Sequence, residues 1–484
     1  MSNQLPAILN VQTIPTINNM EIKTEVLDPI TSTNAEVVFQ IPKNGILDGG
    51  SFVSLAVRTA SGVSDAFLPT ETGILGLIKH AELLVGSKVI ASTEDFGHYQ
   101  TMLRQFETPE HRAYVEAVKN GNSIDRFCEV DETTGRILPQ DLEYTTFAND
   151  NSARAVVSAL SKPTDSDATT PVYSVPLSTL IPFMRSRQLP LFAMKENVFI
   201  RLQFQSQSAQ ADRTICCFPT GSGSSGVVVP SLANIKFYSD HLYYKDGSME
   251  ETQKKIYSEN GLSYLYEDSI LTNASIPATA NPTAPAVQTQ KIERDIAVSG
   301  RVVRNIMIAE KDVGSTNALR GIYFSDTAYR DDEYNFRIND QRYYDRDISN
   351  PSLKYNELSK VIGKPLQVPS IKYSFDSDAN KGRDDRLPNQ NSFYLGQVES
   401  VVLASATNTN LTDDQRGKNH YVGVDLTTSG FNVLGNGKQI GVKPVIYSVN
   451  KFRSNGKNGA RETRIYANVE RLITIKNGDV VVSA

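Results

Sequence analysis

The sequence predicts an all-β protein of the sandwich or barrel type, with short antiparallel strands and few helices. Three observations lead there. Short runs of period-two alternation recur along the chain, and each places its apolar side chains on one face. The 30 Gly and 22 Pro are of average abundance but fall between those runs, where turns are needed. Strand patterns do not alternate regularly with helix patterns, which argues against a parallel α/β fold.

In chain order, strands are expected at Val37–Ile41 and at Ser51–Arg58, where Val53, Leu55 and Val57 point inward. Tyr99, Met102, Leu103 and Phe106 have the spacing of an amphipathic helix, and Thr108-Pro109-Glu110 supplies a cap, a first-turn proline and a first-turn acid for another. Strands follow at Ala155–Ala159 and at 198–205, where Val198, Ile200, Leu202 and Phe204 share one face, and then at Asn234–Ser239. Ser248-Met249-Glu250-Glu251 has a capping-box pattern, and Gly261 is placed to stop the helix it starts. Beyond it, strands are expected at Arg301–Ile308, Ser392–Val402, Asn419–Thr427, Val445–Val449, Arg464–Glu470 and Leu472–Lys476. Long polar stretches at Gly121–Thr170, Thr272–Gln288 and Ser374–Asn391 are expected loops, the usual seat of function in a compact protein.

A chain of 484 residues suggests two to three domains at ~150 residues each. The helix near the middle divides it into 1–247 and 248–484, with 248–261 connecting, and no residue-level repeat relates the halves. Composition is ordinary for a globular protein, 39% hydrophobic and 21% charged, with 21 Tyr, 19 Phe and no Trp. The net charge of −5 and the absence of a basic N-terminal arm argue against a dedicated nucleic-acid binder. No transmembrane segment or signal peptide is expected, and Cys128, Cys216 and Cys217 are expected to be reduced thiols or core residues.

No motif predicts catalysis, a cofactor or a metal. His80, His98, His111, His241 and His420 occur singly, without metal-ligand spacing. Residues 430–439 superficially resemble a phosphate loop, but Asn432 and Gln439 stand where Gly and Ser or Thr are needed; Gly435, Asn436 and Gly437 are expected to form a tight turn with positive φ. The acids Asp331, Asp332, Glu333, Asp340, Asp345 and Asp347 interleave with Arg330, Arg337, Arg342 and Arg346, which predicts charge compensation on an exposed loop. The Asn273 and Asn410 sequons are expected to be chance matches.

Several stretches, in order, resemble the double jelly-roll major capsid proteins of virophages, polinton-like viruses and related double-stranded DNA viruses. They are residues 41–57 with 76–86, residues 188–204, residues 334–358 including Asn350-Pro351, residues 432–437, and the final strand and hairpin at 471–482. The resemblance implies two consecutive eight-stranded antiparallel jelly-roll sandwiches with long loops and a few short helices. It also implies a non-enzymatic building block that forms a homotrimer and tiles an icosahedral shell beside neighbouring capsid trimers, penton proteins and minor or cement proteins. The protein would be made as a soluble chain in a host cell and reside in the virion. It would not bind nucleic acid specifically.

Candidate assembly residues are Tyr99, Met102 and Phe106 on the first helix, and Tyr334, Arg337, Asn339, Tyr343 and Tyr344 in the 334–347 loop. The segment Ile8–Pro29 either lies extended beneath a neighbour or forms an ordinary first strand with a frayed terminus. The competing class is a β-sandwich adhesin or carbohydrate-binding protein using the aromatic-rich Tyr323–Tyr355 region; a glycoside-processing enzyme would need a carboxylate pair brought together in space.

Overall fold

A computed structural model describes residues 20–59, 73–104, 117–120, 128–131, 136–139, 172–205, 228–230, 235–245, 247–277, 289–312, 333–349, 351–362, 421–428, 435–452 and 460–483. The strands expected at 155–159 and 392–402, and the helix expected from Thr108, lie outside these residues.

The first half contributes β1 (Met20–Leu27), β2 (Glu36–Ile41), β3 (Phe52–Thr59), β4 (Ile78–Val85), β5 (Lys88–Glu94), β6 (Val172–Pro176), β7 (Val198–Phe204) and β8 (Lys236–Tyr244). They form two antiparallel sheets in the orders β1-β8-β3-β6 and β2-β7-β4-β5, with short pieces Thr31–Ser32, Ile46–Leu47 and Val228–Pro230 added. The second half contributes β9 (Leu262–Ile276), β10 (Thr289–Ile296), β11 (Val302–Asp312), β12 (Glu333–Ile338), β13 (Gln341–Arg342), β14 (Tyr421–Asp425), β15 (Val445–Phe452) and β16 (Arg461–Lys476), followed by β17 (Asp479–Ser483). Its sheets run β9-β16-β11-β14 and β10-β15-β12-β13. Within each set of eight, first-eighth-third-sixth faces second-seventh-fourth-fifth: the jelly-roll order occurs twice.

The alternation read from the sequence explains the first sandwich. In β7, Val198, Ile200, Leu202 and Phe204 are buried, and each faces the core that β2 supplies with Val37, Phe39 and Ile41. Second-sandwich strands follow the same rule with Ile306, Ile308, Val422, Val424, Tyr447, Val449, Ile465 and Ala467. At roughly 1.5–3 kcal/mol per buried large aliphatic side chain, these faces dominate the stability of both units.

Several expectations need correction. Thr272–Ile276 is not loop but the end of the 15-residue β9, because residues 461–465 of β16 hydrogen-bond to it in unbroken antiparallel register. Residues 334–342 are not loop either. They form β12 and β13, joined by a two-residue turn in which Asn339 (φ 51°) and Asp340 (φ 65°) both take positive φ, the geometry that matches strand twist in tight hairpins. The capping box at Ser248 does not form: in helix α3 (Ser248–Ile256) the N-cap is Gly247 at φ 82°, without a side-chain cap. Gly261 lies beyond the helix end, where a Cβ would sit 2.7 Å from the Ile475 carbonyl oxygen.

Strand order restarts after α3, yet packing crosses from one half to the other. Tyr266, Ile473, Ile475 and Val480 belong to the core of the first sandwich. The β9–β16 ribbon is long enough to cover both cores: Ile270, Ala274, Ile465, Ala467 and Val469 face the second, and the opposite end faces the first.

Candidate assembly surfaces

The described residues of the first expected assembly helix form α1 (Phe96–Arg104), directly after β5. Its Phe96 stays in the first core, while Tyr99 and Met102 pack on the outer face of the β9-β16-β11-β14 sheet, together with helix α4 (Pro351–Ile362). Tyr99 and Met102 are fully buried there against Met307, Ala309, Leu358, Val361, Tyr421 and Tyr466. The expectation that these two side chains meet another protomer is therefore corrected: they join the two sandwiches of one chain. Phe106 lies outside the described residues.

Polar groups complete this seam. Asp95, just before α1, accepts from His98 Nδ1 at 3.0 Å and from Arg464 Nε at 2.5 Å, while its carbonyl accepts from the Tyr466 hydroxyl at 3.0 Å. Asp95 takes φ 46°, a conformation that Asp and Asn tolerate better than other side chains. Burial alone would raise its carboxyl, but the His98 and Arg464 charges outweigh that and hold it well below the usual carboxylate range. The Tyr99 hydroxyl donates to Asn468 Oδ1 at 3.1 Å, and the Asn468 amide donates to Asn305 at 2.8 Å. Deeper along β9, Asp268 accepts from the Ser92 backbone N–H of β5 at 3.1 Å and pairs with Arg471 at 2.9 Å. Burial dominates here and raises Asp268 to about 6, with Arg471 offsetting it only in part.

The other end of the seam is apolar. Helix α2 (Pro182–Ser186) sets the Phe183 ring 4.9 Å from that of Tyr266, whose hydroxyl donates to the Ile90 carbonyl at 2.6 Å. The turn after β16 then clasps the first sandwich. Lys195 N–H donates to the Gly478 carbonyl at 3.0 Å, Asn477 N–H to that of Ile256 at 3.0 Å, and Lys88 Nζ to that of Val480 at 3.1 Å.

The remaining candidates serve a structured hairpin. Tyr334 is buried in the second core, so its expected exposure is corrected by the inward register of β12. Arg337 donates to Glu293 at 2.7 Å, and Asn339 Oδ1 accepts from the Gly441 N–H at 2.9 Å. Tyr344 donates to Glu357 at 3.0 Å and is half-buried, whereas Tyr343 is 36% exposed and donates to the Asp425 carbonyl at 2.6 Å. Charge compensation in this region is partly local, as in Arg342–Asp347, and partly reaches outside it, as in Arg337–Glu293 and Lys443–Asp340. The turn at Gly435 has φ 89°, and its N–H is held between both carboxylate oxygens of Glu470 at 3.0 and 2.9 Å. A Cβ on Gly437 would lie 3.0 Å from the Val303 carbonyl oxygen, so this glycine permits close approach.

Of the Ile8–Pro29 segment, Met20–Leu27 is the edge strand β1, paired with β8 along its whole length. Its outward side chains Met20, Ile22 and Val26 are 41, 55 and 54% exposed. Sequence alternation was present here but not the knowledge that the apolar face points out. Among the described residues no group of three His, Cys, Asp or Glu is placed to hold a metal ion, and no helix is long and apolar enough to cross a membrane.

No protein-family model and no curated protein matches the sequence. Solved structures do match the fold. PBCV-1 VP54, fitted into a reconstruction of the virophage Sputnik, superposes with a TM-score of 0.53 at 11% identity, covering 98% of this chain and 99% of that one. The quasi-atomic PBCV-1 virus capsid gives 0.52 at 11% identity with coverage of 98% and 99%. The cryo-EM structure of the Sputnik virophage gives 0.53 at 10% identity, covering 100% of this chain and 92% of that one. The fold is that of the double jelly-roll capsid proteins.

Proposed function

We propose that this chain is a major capsid protein, a structural building block without catalytic activity that assembles as a homotrimer into a pseudo-hexagonal tile of an icosahedral shell. The observation that carries the reading is the doubled jelly-roll order, shared over nearly the full length of both chains with the PBCV-1 capsid structure. Three chains would bring six sandwiches into one ring. The buried seam supports the same reading, because a tile must behave as one block. The units 1–247 and 248–484 each supply one sandwich, with α3 connecting them. Partners are then neighbouring trimers together with penton and minor or cement proteins, and the residence is the virion after synthesis as a soluble chain in a host cell.

The adhesin alternative finds less support. Within the region it would use, the described tyrosines Tyr334 and Tyr344 are committed to the core and to Glu357, and the partly exposed Tyr343 ring already has Lys438 Nζ over it at 5.8 Å and Tyr344 packed edge-on against it. Electron microscopy of the purified protein decides between the two readings. Pseudo-hexagonal particles support the capsid; isolated single chains that bind an immobilised glycan array overturn it.

A further inference from the structure

The polar band between the two cores holds more positive charge than it pairs. Register sets Arg471 of β16 opposite Tyr266 of β9 and Glu470 opposite Val302 of β11, so Arg301, one residue before β11, stands opposite Arg471 on its other side. Cross-strand neighbours share a face, and like charges directly opposite each other are destabilising. Arg471 pairs with Asp268 at 2.9 Å and its side chain is 21% exposed. Its Nε is buried and has no hydrogen-bond partner among the described residues. Arg301 is half-buried, and among the described residues no hydrogen bond or close ion pair engages its guanidinium. Burial and the neighbouring Arg471 both disfavour the Arg301 cation, and Asp268 offsets them only in part. Asp268 itself is buried and bonded to the Ser92 N–H of the first sandwich. Since burial raises its carboxyl to about 6, below that pH the band has two cations and no anion. A buried donor left unbonded beside two facing guanidinium groups is costly, and the usual answer to such a group is a bound water or ion.

We propose that Arg301 and Arg471 bind a small tetrahedral oxyanion, of the sulfate or phosphate class, at the seam between the two sandwiches of one chain. A guanidinium presents its N–H donors in a fixed fork that fits the oxygens of such an ion. Arg471 keeps Nη1 on Asp268 and has Nε left to donate, while Arg301 has its whole fork. Four oxygens serve two forks that approach from different strands, and the ion places negative charge between the two cations. Depth sets the size of the ligand: most of the Arg471 side chain is covered, so a free ion reaches it and the backbone of a nucleic acid does not.

Asp268 competes for the same guanidinium, so its proton regulates the site. The charged groups facing it are Arg471 of β16 and Arg301 before β11; the Ser92 and Ser269 N–H groups of β5 and β9 donate to it, and Tyr266 lies beside it. A bound anion adds negative charge beside the carboxylate and favours its neutral form, so binding takes up a proton. By linkage, affinity rises as pH falls through about 6. The neutral acid still accepts from Ser92, so the bond across the seam survives while Arg471 turns to the ion. The proposal concerns the single chain and stands apart from the capsid reading.

The test is isothermal titration calorimetry of the full chain with sodium sulfate, whose charge is constant between pH 5 and 7.5, against sodium chloride at matched ionic strength. The wild type should bind one sulfate per chain, about tenfold tighter at pH 5 than at pH 7.5, and inorganic phosphate should compete for the site. Arg301→Gln should abolish binding, yet its thermal midpoint without sulfate should equal or exceed that of the wild type, because the facing cation is gone. Asp268→Asn keeps an acceptor for Ser92 and should bind at pH 7.5 as tightly as the wild type does at pH 5. Absence of saturable sulfate binding by the wild type, or equal binding by Arg301→Gln, overturns the proposal. Displacement of sulfate by a single-stranded oligonucleotide overturns the assignment to a free ion. An Asp268→Asn variant with the wild-type pH dependence overturns the role of the proton.

Discussion

The first and second sandwiches share a strand order but divide their strand lengths differently. In the first, the second and seventh strands have 6 and 7 residues, and the first and eighth have 8 and 9. In the second, the first and eighth strands grow to 15 and 16 residues while the fifth shrinks to 2. The added length is used at the seam: the extra half of the β9–β16 ribbon, with β17, covers the core of the first sandwich through Tyr266, Ile473, Ile475 and Val480. Two jelly rolls thus become one block, because neither buries its apolar surface without residues from the other half. That asymmetry makes specific demands, and each can be broken separately.

The largest effect is expected at Tyr266, which lies in the second unit and packs in the first core. Tyr266→Ala should cost about 3–5 kcal/mol, the range for a large aromatic removed from a core. Amide exchange should rise most in β5 and α2 of the first sandwich. If it rises only in β9 and β16, the claim of shared packing is wrong.

Asp95→Asn comes next. It keeps a residue that tolerates positive φ but removes the charge facing Arg464 and His98, and should destabilise by about 2–4 kcal/mol near neutral pH. Because the folded-state carboxyl is held below its unfolded value, the native state binds fewer protons than the unfolded state. Its stabilisation is complete above the usual carboxylate range and is lost as pH falls through and below it. Acid denaturation curves of wild type and Asp95→Asn should therefore converge toward low pH; curves that stay parallel contradict the assignment.

Asp268 should behave in the opposite sense. Its folded value of about 6 lies above the unfolded 3.8, so the native state holds the extra proton between them. Its contribution to stability falls as pH rises from about 4 to 6, by roughly 2–3 kcal/mol, and stays reduced above that. In Asp268→Asn that component of the pH dependence should vanish, which chemical denaturation at pH 4.5 and 7 would show. Identical slopes in wild type and variant would mean that Asp268 is not buried at the seam.

The smallest effect belongs to the hairpin that shapes the short fifth strand. Asn339→Ala loses tolerance of positive φ and the acceptor for Gly441, and should cost about 1–2 kcal/mol of thermal stability with no change in seam exchange. A change in exchange at β5 would show that the two regions are coupled in a way the packing does not predict.

These differences also decide what could be read in advance. β7 was legible because it sits between two strands of one core, so its alternation is clean. β9 was not: its even-numbered side chains face the first core at Tyr264 and Tyr266, meet Ser92 at Asp268, and face the second core from Ile270 onward, so no single apolar stripe runs through it. β1 alternates correctly, but Met20, Ile22 and Val26 point outward while Glu21, Lys23 and Glu25 share the inward register of Leu27, which alone of its apolar residues packs on the first core. The Asp95–Arg464 pair spans 369 residues, and nothing local to either residue announces the other. The resemblance to capsid proteins supplied the doubled order, whereas residues proposed for contacts between chains turned out, at Tyr99, Met102 and Tyr334, to be spent within one. A side chain with the spacing of a buried helix face says only that it will be covered, not by which partner.

Native mass measurement of the purified chain tests the central claim most directly. The account predicts a discrete species of about 160 kDa, three chains of 53.4 kDa. A protein that remains at the single-chain mass, or stops at a two-chain species, contradicts it.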